Sequence, residues 1–151
     1  MTPFRRLFDF GAETAAFMFN KQGYLEPMWI GVNKKGSHTP LIVADMSDKD
    51  KASEAIRKWL KKEGITRYVS MLECWVYEGK EIPPEVFEGK SIEHNPDRRE
   101  AITILAEDNK GNMISGRYYI LRPEHGKPKL SPIKVDPCDM ESEGRFVGMF
   151  D

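Results

Sequence analysis

The sequence predicts an α+β domain: a mostly antiparallel sheet of five or six strands with two helices on one face. Two segments place apolar residues at helical spacing. Two pairs of strand-like runs are joined by short turns rich in Asn, Asp, Lys and Gly. One long apolar run between them suits a central strand.

The elements follow in order. Residues 1–10 read as a loose or strand-like arm with several aromatics. A helix is expected over 10–22, capped by Asp9, with Ala12, Ala15, Ala16 and Phe19 along one face. Gly23 then supplies the left-handed residue that ends it. Residues 24–33 and 39–44 form a hairpin around Asn33-Lys34-Lys35-Gly36-Ser37. The second helix spans 48–63, with Ser47 as cap and Ala52, Ala55, Ile56, Trp59 and Leu60 as its apolar stripe. Residues 66–77 have little polar interruption apart from Glu73, which fits a strand buried on both faces.

Residues 78–99 are a long polar connection holding Pro83-Pro84 and Pro96. Loops of that length within a compact domain are often functional. A second hairpin over 100–107 and 112–122 turns at Asp108-Asn109-Lys110-Gly111. Residues 129–135 suit only an edge strand, because Pro132 has no N–H to give a ladder. The single domain is expected to end near 135. Residues 136–151 form a tail whose last residues, Phe146 to Phe150, are apolar enough to dock on something.

The bulk numbers exclude several classes. A length of 151 residues suits one domain with a real core. Lys plus Arg is 23 and Asp plus Glu is 24, so the net charge of −1 argues against a surface tuned throughout to phosphate backbones. No apolar run spans a bilayer, and the N-terminus lacks the apolar stretch of a signal peptide. A cytoplasmic location, without membrane attachment, is the expectation. Cys74 and Cys138 do not make a disulfide framework, and no CxxC is present.

Candidate chemistry is sparse. Pro96-Asp97 and Asp108-Asn109-Lys110 spell the PD…DxK pattern of metal-dependent nucleases. That chemistry needs DxK within a strand, whereas these residues are what a hairpin turn requires. His38, His94 and His125 lack any paired-ligand spacing, so no metal is expected. No nucleotide-binding or nucleophile-elbow motif occurs, and no cofactor is expected. Cys74 has no neighbouring base or helix N-terminus to activate it.

Three readings survive. His94, Asp97, Arg98 and Arg99 combine an imidazole, a carboxylate and two guanidiniums, and are the candidate ligand site. They would serve a small hydrolase or nucleotide-binding enzyme working from the 78–100 loop. The ordinary reading of the same cluster is a solvated turn. Arg57, Lys58, Lys61 and Lys62 with Lys34, Lys35 and Arg67 could form a weak nucleic-acid surface, although Glu54 and Glu63 share that helix. The leading expectation is a non-enzymatic binding or regulatory protein acting through a protein partner or a homodimer. It rests on a surplus of aromatics at both chain ends. Trp29, Trp75, Phe146 and Phe150 are its candidate contact residues.

Overall fold

The computed structural model describes residues 2–43, 46–77, 98–136 and 148–150. It contains helices α1 (Pro3–Gln22) and α2 (Lys49–Lys62). Its strands are β1 (Met28–Asn33), β2 (His38–Ile42), β3 (Ile65–Tyr77), β4 (Arg98–Asp108), β5 (Met113–Leu121), β6 (Lys129–Leu130) and β7 (Lys134–Val135). The sheet order is β2-β1-β3-β4-β5-β6, with β7 also paired to β5. Every pairing is antiparallel. The α+β class and the antiparallel sheet are as the sequence predicts.

The helices, however, do not share a face. α1 packs on Met28, Ile30 and Val32 of β1, Val69 and Met71 of β3, and Ile102 and Ile104 of β4. α2 packs on Trp29, Ile65 and Tyr68, which belong to the opposite side chain set. Successive side chains of a strand point to opposite faces, so the helices lie on opposite sides of the sheet. Helical periodicity shows that a helix has one apolar face, but not which side of a sheet that face covers.

Residues 3–10 are helical rather than an arm. The Thr2 hydroxyl oxygen accepts from the Arg5 N–H at 3.1 Å, and Pro3 occupies the first helical position. Thr before Pro is a start signal, since Thr supplies a cap and proline has no N–H to orphan. Leu7, Phe8, Ala12, Ala15 and Phe19 then continue one buried face. Fully burying Phe8 or Phe19 contributes roughly 1.5–3 kcal/mol. The helix ends at Gly23, whose φ of 82° is left-handed and whose N–H donates to the Phe19 carbonyl at 2.7 Å. In α2 the cap is Asp48, one residue after the expected Ser47, and its carboxylate accepts from the Lys51 N–H at 3.1 Å.

The chain crosses from β2 through α2 to β3 on the far side of β1. β3 is fully buried from Tyr68 to Met71 and more open from Leu72 onward. The β4–β5 turn is tied back by the Asn109 N–H, which donates to the Thr66 carbonyl at 2.9 Å. At the far edge, Pro132 separates β6 from β7 as two short strands along β5. Asp136 pins that edge by accepting from the Ser115 hydroxyl at 2.8 Å and from Arg117 at 2.8 and 3.1 Å.

One close approach sets the distance of α1 from the sheet. A Cβ on Gly11 would lie 2.5 Å and 2.8 Å from the two methyls of Val69. Alanine would improve helix propensity by about 1 kcal/mol. It would also overpack a stiff β-branched neighbour on a buried strand, at about 1–3 kcal/mol. Gly11→Ala is therefore expected to lower the urea unfolding free energy by up to about 2 kcal/mol. In a Val69→Ala background the same change should be neutral or stabilising, and equal losses in both backgrounds would reject the contact.

Candidate functional site

His94, Asp97 and Phe146 lie outside the described residues. Arg98 and Arg99 open β4, and neighbouring strand residues point to opposite faces. The Arg98 guanidinium lies 4.5 Å from the Trp75 ring centroid, and that of Arg99 lies 3.9 Å from the Tyr119 ring. The two arginines thus stack on separate aromatic platforms and do not grip one ligand together. The candidate site asked either arginine to grip an anion beside His94 and Asp97, and those two residues lie outside the described ones.

The aromatic candidates separate as well. Trp29 is fully buried on the α2 side and offers no surface to a partner. Trp75 is partly exposed beside Arg98. Phe150 is half-buried, its ring 5.5 Å from that of Tyr68. The carboxylate of Asp108, the acid of the DxK triplet, accepts from the Lys110 and Asn112 backbone N–H groups and the Asn112 side chain. Partial burial opposes ionisation, but these hydrogen bonds outweigh it and hold the carboxyl below its usual range. The triplet is a turn. No cluster of three metal-ligating side chains occurs among the described residues.

Two internal polar clusters hold the α2 side together. Tyr68 donates its hydroxyl to Glu107, itself almost buried. Both Glu107 oxygens also accept from the Gly148 N–H, at 2.8 and 3.1 Å. Arg57 Nη1 donates to the Gly148 and Met149 carbonyls at 3.3 and 3.1 Å. Met149 is thereby buried between α2 and the sheet. Burial and then the Glu107 hydrogen bond hold the Tyr68 hydroxyl far above the usual tyrosine range, so it remains a donor. In the second cluster Cys74 Sγ lies 3.0 Å from Thr103 Oγ1. Burial raises the thiol, outweighing Thr103 and Arg117, which leaves Cys74 a poor nucleophile.

Large apolar groups other than Trp75 also reach solvent. Phe10 and Phe17 stand two turns apart on the outer side of α1, 49% and 65% exposed. His38 meets the Phe10 ring edge-on at 6.1 Å. A groove of about 510 Å³ runs beside Phe10, bounded by Pro3, Arg6, Val32, His38 and Arg67. Phe10 and Phe17 belong to the N-terminal aromatic surplus read from the sequence, although the 10–22 periodicity did not single them out. Their signal was two phenylalanines on the face opposite Ala12, Ala15 and Phe19.

Comparison with protein-family models, curated proteins and solved structures finds no match to this chain. No helix among the described residues is long and apolar enough to cross a membrane.

Two outcomes follow. Tyr68→Phe should cost about 1–3 kcal/mol by leaving Glu107 short of a donor. It should also speed amide exchange at Gly148–Phe150, and unchanged stability and exchange would refute the latch. Alkylation of Cys74, read by peptide mass, should be slower in the folded chain than in urea at pH 8. Because the folded thiol is raised, its rate should still climb with pH where the unfolded thiol has levelled off. Equal profiles would show an ordinary, accessible thiol.

Proposed function

We propose that this chain is a non-enzymatic binding protein that acts through protein contacts, with the outer face of α1 as its contact surface. The carrying observation is the exposed pair Phe10 and Phe17 on a helix whose other face already fills the core. A helix that only covers a sheet has polar groups on its solvent side. Aromatic side chains exposed there are the residue type enriched at protein interfaces. Tyr24, just beyond the helix, is also exposed. Arg6 and Lys21 supply a polar margin, and Lys21 lies 6.0 Å from the Phe17 ring. An apolar centre with a charged rim is the usual anatomy of an interface.

The neighbouring edge of the sheet is guarded. Pro40 lies within β2, the edge strand beside β1, and interrupts its row of donors. This favours recognition through side chains on α1 over addition of a partner strand.

The test compares the wild type with a Phe10→Ser/Phe17→Ser double variant. Light scattering reports self-association, and affinity capture with quantitative mass spectrometry reports another protein. A stoichiometric partner or second copy should be lost in the double variant, with thermal stability unchanged or raised. A monomer whose capture profile is the same in both proteins would overturn the proposal.

A further inference from the structure

At the end of the sheet away from the open half of β3, basic side chains from two elements meet around one cavity. Lys34 comes from the β1–β2 turn, and Arg57 and Lys61 lie one turn apart on α2. The cavity holds about 250 Å³. Its apolar wall is built from Leu60, Ile65 and Phe150. Among the described residues that line it there is no carboxylate. Three nearby acids among the described residues are committed elsewhere, while Glu63 adjoins Gly64 of the cavity wall. Glu107 accepts from Tyr68 and Gly148, Asp108 from Lys110 and Asn112, and Glu54 pairs with Lys58 at 3.5 Å. The walls are fixed by the Asn109–Thr66 hydrogen bond and by the bonds from Arg57 to the Gly148 and Met149 carbonyls.

We infer that this cavity binds a phosphomonoester carrying a flat, largely apolar body, of the size of a mononucleotide. The inference is independent of the α1 contact surface. Lys34 and Lys61 together exceed what one carboxylate balances, whereas a phosphomonoester carries about −1.5 to −2 at neutral pH. Lysines bind phosphate as point charges. The apolar wall gives a planar body a surface on which to leave water. The volume is slightly below the roughly 300–1,000 Å³ of drug-sized ligand sites, which limits the occupant to a small molecule or the end of a strand. The phosphate could belong to a free mononucleotide or to the 5′ end of a nucleic-acid strand.

Calorimetric titration of the full chain tests this. The probes are AMP, adenosine, inorganic phosphate, and one short oligonucleotide with and without a 5′ phosphate. AMP should bind saturably and more tightly than adenosine or inorganic phosphate alone. Lys34→Gln and Lys61→Gln, both at exposed positions, should each weaken it about tenfold, the worth of one charge-assisted hydrogen bond. An oligonucleotide that binds more tightly than AMP, and only with its 5′ phosphate, would identify a strand end as the source. The inference is overturned if neither 5′-phosphorylated probe binds saturably. It is also overturned if binding survives the double Lys34→Gln/Lys61→Gln change. Oligonucleotide binding that ignores the terminal phosphate and fades with salt would overturn it too, as diffuse polyanion attraction.

Discussion

Strand β3 carries apolar side chains in both directions. Val69 and Met71 face α1, while Tyr68 and Leu72 face α2. A strand of that kind cannot leave either face in water without exposing a large apolar area. A helix on each side answers the requirement. α1 lies close because Gly11 has no Cβ to meet Val69, and α2 follows because the β2–β3 connection must pass over β1. Most of the architecture is a consequence of covering β1, β3 and β4 twice.

The same constraint sorts side chains between structure and surface. Trp29 and Tyr68, the largest groups on the α2 side, are consumed by the core. Glu107 is drawn inside with Tyr68 and is satisfied there by hydroxyl and backbone donors, as a buried carboxylate must be. Groups with no place in either core remain outside: Phe10 and Phe17 on α1, and Lys34 and Lys61 around the α2 cavity. The proposed contact surface and the cavity proposed to take a phosphate therefore lie on different sides of the sheet. They could be occupied independently.

Much of the secondary structure was legible in the sequence because it depends on local rules. The apolar stripe of α2, the left-handed Gly23, the turn at Asp108–Gly111 and the edge position of the segment around Pro132 follow from spacing, backbone geometry and a missing N–H, although the expected single strand over 129–135 is two short ones. The helical start at Thr2-Pro3 was legible too. It is outweighed on reading by Phe4, Phe8 and Phe10, whose aromatic character suggests a strand. The candidate site was less legible. Arg98 and Arg99 are adjacent in sequence, yet the pleat turns them to Trp75 and Tyr119 on opposite faces. Lys34, Arg57 and Lys61 were visible only as members of a broad basic group. Their separation from the other lysines appears once the β1–β2 turn is brought beside α2.

What the sequence determined by itself was the class of fold, the antiparallel hairpins and the edge position of the final strands. These rest on periodicity and turn chemistry, which act over a few residues. The tertiary structure decided which sheet face each helix covers, which aromatics become core and which cations share a cavity. Those outcomes depend on volume, on pleat parity and on contacts between residues far apart in the chain, and no local pattern encodes them.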